Sequence, residues 1–109
     1  MEKLKASGVE LVVLKNSKNN SVNLRNIIRI LYKKGIKSIL VEGGKKTITS
    51  FIKAGIVDKL IAVISPKILG RGIEPVGDLG IRNIKGALKL QLVGIKKIGK
   101  DIIYAAAIK

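Results

Sequence analysis

Cysteine, histidine and tryptophan are absent from this chain of 109 residues, and these absences exclude several kinds of chemistry. Without cysteine, neither a disulfide framework nor a thiolate metal site can form. Without histidine, the usual zinc ligand and the usual general base are missing, as are all Ser-His and Cys-His pairs. We therefore expect no hydrolytic or metal chemistry, and we assign no metal ligand and no catalytic side chain.

Acidic residues are also scarce, since seven carboxylates stand against 22 lysines and arginines and the formal net charge is +15. The carboxylates are scattered, without the spacing of a carboxylate pair or a metal cage. A field of this sign attracts nucleic acid, anionic lipid or phosphorylated small molecules. The alternative is a lysine- and isoleucine-rich thermophilic protein, in which most lysines only solvate the surface.

Long apolar runs are missing, although apolar residues make up 47% of the chain and only three residues are aromatic. The longest run, residues 60–65, is far too short to span a membrane. Residues 1–5 are charged and no apolar segment of a signal peptide follows them. The sequence thus predicts a soluble, cytoplasmic protein without membrane contact, and its length fits a single domain over residues 1–109.

Apolar periodicity in the first half predicts strands alternating with one helix. Residues 9–14 are predicted to form a short strand, and the polar residues 15–21 indicate a loop. Four apolar residues then recur at the spacing of one helical face, with Asn23 as N-cap and Gly35 as stop: Leu24, Ile27, Ile28 and Leu31. The continuous apolar run 38–41 is typical of a parallel strand covered on both faces.

The second half predicts a short helix at 47–54 and then mainly strands. A strand at 57–65 is followed by a glycine-rich loop at 68–80. Residues 88–92 alternate as in an antiparallel strand, and 102–108 complete a hairpin with it. The order β-α-β-α-β followed by β-β predicts an α/β fold, in which a mainly parallel sheet carries helices on its faces and ends in an antiparallel hairpin.

The strand-to-helix turn after residue 41 is the strongest functional signal. Glu42 is followed by Gly43 and Gly44, which lack a Cβ and so allow a ligand to approach the backbone closely. The next helix begins with unpaired amides at the positive end of its dipole, where Lys45 and Lys46 add charge and Thr47 adds a hydroxyl. This turn therefore predicts an anion site, typically for phosphate, although two glycines also fit a simple tight turn.

Glu42 ends a strand that is expected to be buried, where a carboxylate needs a partner. One partner is a lysine. The other is an N–H or hydroxyl group of a ligand, because ligands bind at the carboxyl ends of parallel strands.

Three segments of the chain resemble the reductase domain of riboflavin biosynthesis: residues 39–44, 51–60 and 64–70. That family includes the carboxyl-terminal part of the bifunctional deaminase-reductase and the stand-alone archaeal and fungal reductases. The resemblance implies a dihydrofolate-reductase-like fold and an NADPH-dependent reduction, in which the ribosyl group of a ribosylaminopyrimidine 5′-phosphate becomes a ribityl chain. The cofactor carries the hydride in such a reaction, so no histidine is needed.

The same resemblance assigns residues to the site. It implies that Glu42 contacts the phosphorylated substrate and that the segment after it binds NADPH: Gly43, Gly44, Lys45, Lys46, Thr47, Ile48, Thr49 and Ser50. The family domain is about twice as long as this chain, which resembles only its carboxyl-terminal half, and this leaves open whether the chain is active alone. Half of a sheet exposes edges and an apolar face, so we expect at least a homodimer.

Two other hypotheses remain open. The charge fits a non-enzymatic anion- or nucleic-acid-binding module, although no aromatic platform and no basic recognition helix is visible, so nucleic acid is expected to bind only non-specifically. The chain could also fold and oligomerise without binding any ligand.

Overall fold

The computed structural model describes residues 2–14 and 22–109, and these ranges form two compact units, Met1–Gly35 and Ile36–Lys109. The predicted loop at 15–21 lies outside the described residues. No helix in the described ranges is long and apolar enough to cross a membrane.

The described part of the first unit contains two helices, α1 (Glu2–Ala6), which the sequence did not predict, and α2 (Leu24–Lys33). The predicted cap of α2 is confirmed, because the Asn23 side chain accepts a hydrogen bond from the Asn26 amide at 3.2 Å. The helix ends as predicted before Gly35, whose φ of 83° favours glycine. Lys34, just past the helix, forms an ion pair with Glu10.

The second unit contains one helix, α3 (Lys45–Lys53), and three strands, β1 (Lys59–Ile64), β2 (Leu90–Ile98) and β3 (Asp101–Ile108). Helix α3 is followed by Gly55, which has a φ of 62° and is the predicted stop. A short 3₁₀ turn, Ile84–Gly86, precedes β2. The chain is thus an α/β chain, as predicted.

The sheet has the order β1-β3-β2, and both pairings are antiparallel. The predicted carboxyl-terminal hairpin of β2 and β3 is confirmed, with Ile98 opposite Asp101 and a bulge between Leu92 and Gly94. At the other side of β3, the Ser65 hydroxyl donates to Asp101 Oδ1 at 2.7 Å and so joins the ends of β1 and β3.

The predicted parallel sheet with helices on both faces is not confirmed. Residues 9–14 and 38–41 were expected to be its parallel strands, but neither segment is hydrogen-bonded into a ladder with any described residue. A strand exists only through bonds to a neighbouring strand, and an apolar run in the sequence does not supply that neighbour. The expectation that residues 38–41 are buried is also wrong, because Leu40 is 73% exposed.

Both faces of the antiparallel sheet are apolar at their centres. Directly opposed residues share a face, so Leu60, Ala106 and Leu92 lie on one face and Ile61 and Ala105 on the other. The first face contains Ala106, which is fully buried. Large side chains stay exposed on both faces, with Leu92 54% exposed on the first and Ile61 56% exposed on the second.

Within the loop between β1 and β2, Asp78 and Arg82 form a salt bridge. Asp78 accepts two hydrogen bonds from the Arg82 guanidinium, at 2.8 and 2.9 Å, and one from the Gly80 amide at 2.7 Å. The guanidinium and then the amide lower the pKa of Asp78 from 3.8 to about 2, because both donors favour the ionised carboxylate.

We predict that removing the cap of α2 destabilises the protein. Asn23→Ala removes the side-chain acceptor of the Asn26 amide, which then keeps only its bond to the Asn23 carbonyl at 3.1 Å. The variant should lower the free energy of unfolding by about 1 kcal/mol in urea denaturation. Asn23→Ser keeps an acceptor oxygen and should retain most of that stability. Equal losses in the two variants would contradict the capping role.

We also predict that the ionised carboxylate of Asp78 makes the stability of the folded protein depend on pH in the acidic range. Its pKa is lowered in the folded state. The contribution of Asp78 to the free energy of unfolding is therefore complete above the unfolded pKa of 3.8, and it is lost as the pH falls toward about 2. Between these pH values, the melting temperature of the wild type should fall more steeply than that of Asp78→Asn. Parallel curves would show that the pair contributes nothing to folding.

Candidate functional site

The predicted phosphate-binding segment lies at the start of helix α3. The helix begins at Lys45, so the predicted start at Thr47 is two residues late, and Gly44 is the N-cap. The first intrahelical bond runs from the Ile48 amide to the Gly44 carbonyl at 3.1 Å. The amides of the three preceding residues, Lys45, Lys46 and Thr47, therefore have no acceptor within the helix.

Open space surrounds the two glycines before the helix. A Cβ added to Gly43 or Gly44 would meet no atom within 4 Å, and neither residue has a positive φ. The peptide bond between them is cis. Gly44 also provides no side chain to cap the helix. A ligand can thus reach the backbone of this turn without displacing any described group.

The two lysines of the first turn differ in their contacts. Lys45 Nζ lies 2.5 Å from Glu74 Oε2, in the loop between β1 and β2. The hydrogen bond from Lys45, and then its charge, lower the pKa of Glu74. Lys46 has neither an ion pair nor a hydrogen bond from its ammonium group to another described residue, so its charge is available to a ligand.

The three hydroxyls of α3 also differ. Thr49 Oγ1 donates to the Lys45 carbonyl at 2.6 Å and accepts from the Gly77 amide at 2.7 Å. Ser50 Oγ donates to the Lys46 carbonyl at 2.8 Å. Thr47 is exposed, and its hydroxyl bonds to no other described residue. Of the three, Thr47 is the hydroxyl best placed to meet an anion, since the other two already have backbone partners.

Ile48 and Glu42 complete the set of predicted site residues. Ile48 is half-buried, so it contributes to packing and offers a ligand its backbone only. Glu42 is exposed, and within the described ranges its carboxylate pairs with no lysine. The lysine partner that the sequence left open is thus not found among the described residues, and the carboxylate is accessible from solvent.

Glu74 and Gly77 are the contacts of this segment that the sequence analysis did not identify. A Cβ on Gly77 would lie 3.2 Å from both Lys45 Cε and Thr49 Oγ1, so the loop approaches the helix closely at this glycine. The sequence signal for this approach was weak, since the predicted loop at 68–80 contains several other glycines and nothing in it pointed to α3.

Two cavities lie outside this segment. One, of about 280 Å³, is lined by residues of the first unit that include Asn26 and Arg29, and one of about 250 Å³ is lined by residues of the second unit that include Ile52 and Leu79. No residue of 42–50 lines either of these two cavities. Across the described ranges, no group of three acidic side chains is arranged to hold a metal ion.

Comparisons with known proteins agree with one another. The family model described as "RibD C-terminal domain" matches residues 1–104. The chain is 41% identical to the riboflavin biosynthesis protein RibD of Aquifex aeolicus over 94% of its own length and 27% of that protein. It is 32% identical to the 2,5-diamino-6-ribosylamino-4(3H)-pyrimidinone 5′-phosphate reductase of the same organism, over 94% of this chain and 46% of that one.

Among solved structures, RibD of Acinetobacter baumannii (form 2) matches with a TM-score of 0.82, over 100% of this chain and 29% of that chain. The sequence identity is 18%, so this match concerns the fold alone. The chain spans about a quarter of the RibD relative from Aquifex and about half of the reductase.

We predict that Gly77 is required for the contact between the loop and α3. Gly77→Ala places a methyl group against Thr49 Oγ1 and should lower the free energy of unfolding by about 1 kcal/mol in urea denaturation. Gly72→Ala is the matched control, because a Cβ there meets nothing within 4 Å and φ is not positive. Equal stability of the two variants would show that the loop does not pack this closely.

Proposed function

Because the chain belongs to the RibD C-terminal domain family, we propose that it is the cofactor-binding part of an NADPH-dependent reductase of riboflavin biosynthesis. The substrate is a ribosylaminopyrimidine 5′-phosphate, whose ribosyl group is reduced to ribityl. One relative carries a reductase name of this class. The observation that carries the proposal is the start of α3, where three amides without helical acceptors follow two glycines surrounded by open space.

The residues at this turn fit a dinucleotide phosphate. Backbone amides donate to phosphate oxygens at the positive end of a helix dipole, and the open space at Gly43 and Gly44 lets the phosphate come close. Lys46 and Thr47 add an ammonium and a hydroxyl that bond to no other described residue. When it is bound, NADPH supplies the hydride, while the protein orients both reactants.

The segment 43–50 divides this work among its residues. Gly43, Gly44 and the first-turn amides hold the phosphate, with Lys45, Lys46 and Thr47 around it. Thr49 and Ser50 act through the backbone, because their hydroxyls fix the carbonyls of Lys45 and Lys46. Ile48 anchors the turn by packing.

Glu42 is the substrate contact in this proposal. Its exposed carboxylate accepts hydrogen bonds from an N–H or hydroxyl group of the pyrimidine or the sugar. Because it immediately precedes the two glycines, it places the substrate beside the cofactor. No catalytic acid or base from the chain is assigned to the reduction.

Self-association belongs to the same proposal. The sheet face that contains Ile61 and Val63 is apolar at its centre, and these side chains are 56% and 64% exposed. An apolar surface of this kind gains free energy when a second chain covers it. We propose at least a homodimer, and only non-specific, salt-sensitive binding of nucleic acid through the net charge of +15.

We predict that NADPH binds at this turn and that Lys46 strengthens the binding. In isothermal titration of the full chain, Lys46→Gln should weaken NADPH binding about three- to tenfold, because a charged contact to phosphate is lost. Lys96→Gln, in strand β2, makes the same change of net charge and should leave the affinity nearly unchanged.

Two results would contradict the proposed function. One is a wild-type chain that gives no heat with NADPH and no change in the amide signals of Gly43 and Gly44. The other is an equal loss of affinity in Lys46→Gln and Lys96→Gln, which would mean that the net charge alone attracts the dinucleotide.

A further inference from the structure

The loop between β1 and β2 is attached to the first two turns of α3 at two points, which we call the clasp. At the first point, Glu74 pairs with Lys45 at 2.5 Å. At the second, the Gly77 amide donates to Thr49 Oγ1 at 2.7 Å, and the missing Cβ of Gly77 permits the approach. The contacts join residues 29 and 28 positions apart, so they are tertiary contacts that hold the loop on this part of the helix.

The two points of the clasp respond differently to an incoming anion. The point at Gly77 is a neutral hydrogen bond, and it is partly buried. The point at Glu74 is an ion pair with an exposed carboxylate, 72% accessible, and exposed pairs of this kind are weak and exchange readily. The Glu74 side chain can therefore leave Lys45 while the Gly77 bond keeps the loop in place.

Glu74 is the carboxylate that balances the charge at this helix end. The first turn of α3 contains no acidic residue, and it combines two lysines with the positive end of the dipole. The chain has only seven carboxylates for 22 cationic side chains, and one of them is bound here. The lowered pKa of Glu74 agrees with a carboxylate held ionised by Lys45.

We propose that Glu74 is an internal counter-anion that a phosphate group displaces from Lys45, so that Glu74 sets how tightly this end of α3 binds phosphate. The inference rests on the proposed function for the identity of its ligand, a dinucleotide. Glu74 acts through Lys45 and does not itself touch the ligand. While it holds Lys45, it competes with the phosphate for the ammonium.

The sign of the effect follows from this competition. Replacing the carboxylate by an amide removes the competitor for the Lys45 ammonium, so phosphate affinity rises. A residue whose role was only to hold Lys45 in place for the ligand would give the opposite sign, because its loss would weaken binding.

The test is a titration of the full chain with inorganic pyrophosphate and with NADPH, at one fixed ionic strength. Glu74→Gln should bind both about two- to fivefold more tightly than the wild type, which corresponds to the strength of an exposed ion pair. Glu10→Gln is the matched control, because Glu10 also pairs with a lysine, is also 72% exposed and makes the same change of net charge. Its affinities should remain close to those of the wild type.

A double-mutant cycle with Lys45→Gln assigns the effect to the pair. The gain from Glu74→Gln should disappear when Lys45 is already replaced. Amide hydrogen exchange provides the structural readout: protection of the Gly77 amide should be the same in Glu74→Gln and in the wild type, because the second point of the clasp remains.

Four outcomes would overturn the inference: equal affinities of Glu74→Gln and Glu10→Gln, weaker binding by Glu74→Gln, a gain that persists without Lys45, or loss of protection at Gly77. A fifth outcome separates the two proposals. If Glu74→Gln gains affinity for pyrophosphate through Lys45 while no variant binds NADPH, the counter-anion role stands and the proposed reductase function falls.

Discussion

Strand β3 is the element on which the second unit depends, because β1 and β2 both pair with it. Its small central residues, Ala105 to Ala107, let the neighbouring strands and their larger side chains pack across it, and Ala106 is fully buried. The Ser65–Asp101 hydrogen bond and the turn before Asp101 fix the register at one end of this strand. The loop that contacts α3 connects β1 to β2. Because both strands pair with β3, this pairing fixes where the loop starts and where it ends.

The loop and α3 show how a basic chain uses its few carboxylates. Asp78 braces the loop internally through Arg82, and Glu74 neutralises part of the charge at the helix start. Both carboxylates are exposed, so each pair contributes little to stability and its effect is local. The partly buried bond between Gly77 and Thr49 depends much less on charge, and it determines where the loop lies.

The sequence predicted the helix cap, the helix stops and the hairpin, because each of these depends on residues that are close together in the chain. Four predicted features depend on a few neighbouring residues, and the structure confirms all of them: the Asn23 cap, the helix stops at Gly35 and Gly55, and the hairpin turn before Asp101. The start of α3 lies two residues earlier than predicted, at Lys45, whose ammonium pairs with the distant carboxylate of Glu74. The runs 9–14 and 38–41 were expected to be strands from composition alone, and composition does not reveal whether a neighbouring strand is present.

The contact between Lys45 and Glu74 spans 29 positions without a motif, so only the folded chain identifies it.

The two outer strands of the sheet differ in how their edges are protected. Strand β2 carries Lys96 and Lys97 near one end, whereas β1 has apolar side chains at every position after Lys59. Unpaired backbone groups beside such side chains are a template for intermolecular pairing, and lysines oppose it. Copies of the chain repel each other through their high charge, but at physiological salt this repulsion is screened beyond about 8 Å. We therefore expect contact between the β1 edges of separate molecules to depend on ionic strength, because dilute buffer preserves the repulsion and added salt screens it.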